Sequence, residues 1–233
     1  MASYAFWNVS TQVYDLGPPL YPVSENANEN VTVNPTFQLA YWGFGLDISI
    51  RWKERQSQSV PEDWVHVRDN LAPLPIIDGA CAVYEGIPDM WTNGSTTVQD
   101  HPATAGIYGL LPPPSADSSP VVNITVSRHT AELIEELWDL GDSHGWDFSM
   151  LAIKSLCLGD VDQAVAYLLD PNYQFDDAGY DPEGGSRVPT PYIPDAGGLL
   201  LATAMMAGGW DGDEGTHFPS DWTVEVEGFT ASL

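Results

Sequence analysis

Residues 146–169 read WDFSMLAIKSLCLGDVDQAVAYLL, and this run constrains the fold more than any other part of the chain. Asp147 is placed to cap an apolar helix that ends at Gly159. Asp160 is placed to cap the next helix, with Gln163 completing a capping box. A glycine followed at once by a capping aspartate leaves no room for a long connection. The two helices must therefore fold back on one another, and their shared apolar face needs further helices to cover it.

The remaining signals are also helical. Asn34 can cap and Pro35 suits the first helical position, which predicts a long helix from Asn34 to about Arg55. Its apolar residues Phe37, Leu39, Tyr41, Trp42, Phe44, Leu46, Ile48 and Ile50 cannot share one stripe, so a helix buried on both sides is expected. A short helix is expected from Pro102 to Leu111, stopped by the prolines at 112–114. Ser127 to Leu140 reads as amphipathic, with Leu133, Ile134, Leu137 and Trp138 on one face. Asp195 to Ala207 is a further apolar helix closed by Gly208 and Gly209, and the tail WTVEVEGF alternates as a strand would. The expected class is all-α: one domain over 1–233, with a long irregular insertion at 56–100 and a short strand-like tail. The hairpin at 147–169 is also compatible with a helical-repeat scaffold. Long aromatic loops and the lack of a fixed period weigh against that.

Charge narrows the partners. Seven Lys and Arg face 33 Asp and Glu, a net charge of −26, so nucleic acid and anionic membrane surfaces are excluded as natural partners. No stretch is long enough to span a membrane, and no cofactor motif is seen. Cys81 and Cys157 lack metal-ligand spacing and read as two core thiols, with a disulfide between them as the alternative. Sequons at Asn8, Asn30, Asn93 and Asn123 favour an extracellular protein, yet MASYAFWNVS is not a signal peptide. The expectation that reconciles them is that Met1 lies inside a longer natural chain.

Three polar segments interrupt the apolar helices. SENANEN carries Glu25, QDHPATAG carries His101, and YQFDDAGYDPEGGSRVPTPY carries Asp176, Asp177, Arg187 and Tyr192. Aromatic residues flank all three, and YEGIPDMW adds Asp89 and Trp91. Paired carboxyl groups suit glycosidic bond cleavage, and nine Trp and ten Tyr supply faces on which sugar rings stack. Each residue also has a plain reading. Glu25 is then a solvated loop acid, Asp176 and Asp177 are turn residues, and His101 is a helix-start residue satisfied by the core. DGDEG at 211–215 reads as a surface turn, since it lacks the distant glutamate of a calcium loop.

At these same segments the chain resembles the six-hairpin glycosidases, built on an (α/α) toroid. The nearest pattern is the inverting α-L-fucosidase family, glycoside hydrolase family ninety-five, with uncharacterised fungal relatives. SENANENVTVNPTFQLAYW is similar to the acid loop and following buried helix of that family, and HPATAGIYGLLPP to its histidine segment. HGWDFSMLAIKSLCLGDVDQAVAYLL resembles its helical hairpin, and YQFDDAGY its Phe-Gln-Ile-Asp-Gly-Asn segment. The resemblance covers about residues 15–210 in order. It departs where Ser-Pro-Glu becomes Ser-Glu, where Asp-Gly-Asn becomes Asp-Asp-Ala, and at Gln38, where closer relatives are acidic.

The resemblance implies a partial toroid and an inverting glycoside hydrolase acting on a carbohydrate substrate. Glu25 stands in the place of the acid, and Asp176 in that of the base or base-helper. Trp42, Asp89, Trp91, His101, Asp177, Arg187 and Tyr192 are the candidates for shaping the sugar site. It also implies that an N-terminal part of the domain, carrying water-orienting asparagines, is missing, so that this chain alone is incomplete and inactive. The alternatives are a carbohydrate-binding module without chemistry and a helical scaffold for a protein partner.

Overall fold

The computed structural model describes residues 1–112, 120–182, 191–228 and 231. It is mostly helical, with a few short antiparallel strand pairs, and the mainly-α expectation holds. The contacts separate two compact units, Met1–Leu137 and Trp138–Leu233.

The first unit opens with a hairpin, β1 (Phe6–Asn8) against β2 (Val13–Asp15), with Trp7 opposite Tyr14. The long helix α1 follows (Thr36–Arg55). Pro35 takes the N-cap position, where a missing N–H costs nothing. Asn34 is not the cap that the sequence suggests. It is buried in the left-handed region at φ 51°, which asparagine tolerates better than most residues. Its Oδ1 accepts the Leu16 N–H at 2.9 Å, and its Nδ2 donates to Asp15 Oδ1 at 2.8 Å and Glu85 Oε2 at 2.7 Å. An amide with both a donor and an acceptor end can knit three segments together, which capping would not do. Thr36 completes the junction. Its N–H reaches the Val83 carbonyl at 2.9 Å and its hydroxyl donates to the Ala82 carbonyl.

Helix α1 departs from expectation in its burial. Thr36, Leu39, Ala40, Gly43, Leu46 and Ile50 form one buried stripe, while Tyr41, Ile48 and Trp52 are exposed. Aromatic side chains on the outer face lean on neighbours instead of a second layer. Phe37 stacks on Tyr41 at 6.2 Å between ring centroids, and the Arg55 guanidinium sits 5.6 Å from the Trp52 ring. The insertion at 56–100 is not irregular throughout. It holds α2 (Glu62–Asp69), the pair β3 (Ile76–Ile77) and β4 (Ala80–Cys81), and a 3-10 turn at Thr96–Gln99. Its prolines bound these elements: Pro61 stands directly before α2. Val67, Leu71, Leu74 and Cys81 join Leu16, Leu39, Leu46 and Ile107 in the core. The expected helix from Pro102 to Leu111 is a 3-10 turn, Ala103–Ile107, buried along its whole length. Helix α3 (Ile124–Leu137) closes the unit, and its Thr130 hydroxyl oxygen accepts the Cys81 N–H at 2.9 Å.

The second unit is built on the predicted hairpin: α4 (Gly145–Cys157), α5 (Val161–Leu168) and, later, α6 (Ile193–Gly208). Asp160 caps α5 as expected, accepting the Gln163 N–H at 3.0 Å, and Gly159 makes the turn at φ 86°. Asp147 sits two residues inside α4 instead of before it. It is the third residue of a capping box in which His144 is the cap, and its Oδ2 accepts the His144 N–H at 3.1 Å. Phe148, Met150, Leu151, Ala152, Ile153 and Leu156 are all buried, so α4 is the helix covered on every side. After Gly209, β5 (Gly209–Trp210) pairs with β6 (Asp213–Glu214). DGDEG is therefore a hairpin turn and its second strand. Residues 222–228 form no strand: their alternation has no partner edge to pair with among the described residues.

Candidate functional site

Within the first unit, two of the three polar segments come together. Ser24 is buried and Glu25 is exposed beside it. The next residue ties the loop down: the Asn26 N–H donates to Asp100 Oδ2 at 2.7 Å, and its side-chain amide donates to the Thr96 carbonyl at 3.1 Å. The other oxygen of the buried Asp100 accepts the His101 N–H at 2.7 Å. A single carboxylate therefore clamps the Glu25 loop onto the segment that carries His101. The far side of the loop is closed by the Asn28 carbonyl, which accepts the Val31 and Thr32 N–H groups at 3.1 Å each. Glu25 projects into solvent from a backbone fixed on both sides, whereas an acid's role calls for a partly desolvated carboxyl.

The aromatic candidates of this unit divide. Trp42 is half-buried, its Nε1 donates to the Met1 carbonyl at 3.2 Å, and Tyr4 packs on it at 5.7 Å. It is engaged with the N-terminal segment. Trp91 is half-buried and Asp89 is exposed, with left-handed backbone at φ 49°. His101 is buried, as the reading of a core-satisfied helix-start residue expects.

The third segment lies in the second unit. Asp176 is exposed and folds its own turn. Its Oδ1 accepts the Ala178 and Tyr180 N–H groups at 2.9 Å each, and its carbonyl accepts the Gly179 N–H at 2.9 Å. Asp177 is exposed too. Tyr192 is half-buried at the start of α6 and bridges the backbone of Asp181. Arg187 lies outside the described residues.

The sequence reading missed the most unusual chemistry of this unit. Asp147, Asp181 and Asp195 are all buried, at 0%, 2% and 0% exposure. They come from α4, from the segment before α6 and from the first turn of α6. Burial pushes the Asp195 carboxyl up to about 8, helped by Asp181 and then Asp147. The Tyr173 hydroxyl donates to the Asp195 carbonyl at 2.8 Å, and burial raises that phenol as well. Nothing local in the sequence flags the group, because its members are 34 and 14 residues apart. Asp195 alone reads as an ordinary acid at a helix start.

Neither cysteine is set up as a nucleophile. Burial pushes Cys81 up to about 11 and Cys157 up to about 12, so both thiols keep their protons near neutrality. Both are free, Cys81 buried and Cys157 half-buried.

No protein-family model matches the chain, and no curated protein sequence matches it.

Proposed function

We propose that the chain acts on carbohydrate by glycoside hydrolase chemistry of the six-hairpin (α/α) toroid type, with Glu25 as general acid and Asp176 as base or base-helper. The observation that carries this reading is the Asp100 clamp. It holds the Glu25 loop and the His101 segment together, so that two of the three candidate segments are fixed side by side. In an inverting reaction the acid protonates the leaving oxygen, while the second carboxylate draws a proton from the attacking water. His101, Asp89, Trp91, Asp177, Arg187 and Tyr192 then shape the sugar site. The exposed sequon asparagines Asn30, Asn93 and Asn123 support an extracellular setting.

The second reading is a carbohydrate-binding module without turnover. It is favoured by the exposure of both carboxylates and by the commitment of Asp176 Oδ1 to its own turn.

One pair of measurements separates them. Reducing-sugar release and calorimetric titration are run on the same panel of oligosaccharides. Hydrolysis that falls at least ~100-fold in Glu25→Gln, with unchanged melting temperature, supports the acid role. Saturable binding without release supports the module. Neither release nor binding across the panel would overturn both readings.

A further inference from the structure

We propose that the outer face of α6 is a docking surface for a cationic amphipathic helix of a partner protein.

Helix α6 has two unlike sides. Asp195, Ala202, Met205 and Met206 are buried. Ile193, Gly197, Leu200, Leu201 and Ala204 recur at helical spacing, which sets them together on the opposite face. Ile193 is 63% exposed, Leu200 71% and Leu201 36%. Thr203 is the one polar side chain of α6 that is exposed, and its one charged residue, Asp195, is buried. A solvated helix of the same chain looks different: α3 exposes Arg128, Glu132, Glu135 and Glu136. A single exposed leucine is ordinary, whereas large aliphatic side chains grouped on an uncharged face mark a surface built to be covered.

The shape of the face suits another helix. A methyl group placed on Gly197 would meet no atom within 4 Å. The bare backbone there, with the small Ala204 further along, leaves a shallow groove flanked by Ile193, Leu200 and Leu201. A ridge of side chains from a second helix fits such a groove. From Ile193 to Ala204 the stripe runs about 17 Å, or about three helical turns.

Charge selects the occupant. At the start of α6 the Tyr192 N–H donates to the Asp181 carbonyl at 3.3 Å, which ties to the helix the turn bearing the exposed Asp176 and Asp177. At its end the Gly215 N–H donates to the Gly208 carbonyl at 3.3 Å, and the His217 N–H to the Met206 carbonyl at 2.7 Å. These bonds hold against the last turn the hairpin bearing the exposed Asp211, Asp213 and Glu214. Carboxylates therefore stand at both ends of the apolar stripe. In the unit Trp138–Leu233, Lys154 is the only Lys or Arg among the described residues, and it is buried. A second copy of the chain would set carboxylates against carboxylates, and the net charge of −26 opposes self-association. Anionic lipid is repelled for the same reason, and α6 lacks the Lys and Arg with which interfacial helices hold headgroups. A helix with Leu or Ile on one face and Lys or Arg beside it covers the stripe and meets the carboxylates at both ends.

The test is a fluorescence anisotropy titration of the whole chain with two labelled synthetic amphipathic helices, one built of Leu and Lys and the other of Leu and Glu. The Leu–Lys helix is expected to bind saturably, and the Leu–Glu helix is not. Combining Ile193→Gln with Leu200→Gln is expected to weaken binding of the Leu–Lys helix roughly 10-fold or more. The melting temperature should hold, because both side chains are exposed. Leu169→Gln, at a residue outside α6 that is also 71% exposed, should leave the affinity unchanged. Equal affinity of wild type and double variant, or an equal loss in Leu169→Gln, would show attraction by net charge alone and overturn the proposal. Failure of the Leu–Lys helix to bind would overturn it as well. So would dimerisation in sedimentation, or uptake by phosphatidylcholine vesicles, that the double variant abolishes, since these would give the face to a second copy or to lipid.

Discussion

Asp100 and Asp195 are the same residue, one in each unit, and both are buried. The Asp100 carboxylate meets backbone donors on both oxygens, from Asn26 and His101 at 2.7 Å each. The Asp195 carboxyl meets none, and its neighbour is Asp181. Burial alone therefore does not decide what an acidic side chain does. Donors let the first aspartate serve as a clamp that fixes a loop. Their absence leaves the second a group that resists ionisation.

The sharpest way to break the comparison is steric. Gly145→Ala drives a methyl into Asp195 Oδ2 and should cost about 3 kcal/mol, at the upper end of core overpacking. The loss is expected on both sides of neutrality, because a clash does not titrate. Urea unfolding of Gly145→Ala, Asp195→Ala and the double variant measures the coupling directly. A double variant that is no better than the sum of the singles would show that the two residues do not press on each other.

At the other aspartate the expected effect is smaller. Asp100→Ala orphans the N–H groups of Asn26 and His101, but water can reach exposed Asn26, so a loss of about 2 kcal/mol is expected. The Glu25 loop should also be released. Faster proteolytic cleavage within residues 21–33 reads this locally, and an unchanged cleavage rate would remove Asp100 from its role as clamp.

Much of the helical frame was legible because it is written in local chemistry. Gly159 and Asp160 sit side by side, and Gln163 follows at the spacing a cap demands, so the α4–α5 turn needed no tertiary information. The site was legible only in part. Glu25, His101 and Asp176 stood out as polar breaks in apolar sequence, and the first two segments do meet through Asp100. Asn34 was misread because its partners, Leu16, Asp15 and Glu85, lie up to 51 residues away, and distance in sequence hides them. Tyr41 and Ile48 were misread as buried because a large apolar side chain on a helix looks the same whether a second layer covers it or solvent does. The Asp147–Asp181–Asp195 group was invisible for the same reason as the Asn34 junction: only folding brings it together.

The smallest expected effect completes the series. Asp160 is exposed and accepts one backbone N–H, from Gln163 at 3.0 Å, at the start of α5. Asp160→Ala should cost about 1 kcal/mol, the usual worth of a cap that water can partly replace. Asp160→Asn should recover most of that, since an amide oxygen caps as well as a carboxylate oxygen. The same Asp→Asn change therefore has different consequences at the two ends of the series. At Asp160 it is expected to be close to neutral, while at Asp195 it is expected to stabilise only where the wild-type carboxyl would have to ionise. Measuring urea midpoints for Asp160→Asn and Asp195→Asn side by side, at about pH 5 and about pH 9, isolates donor supply from burial. Equal pH dependence in the two variants would mean that the missing donors at Asp195 do not govern its behaviour.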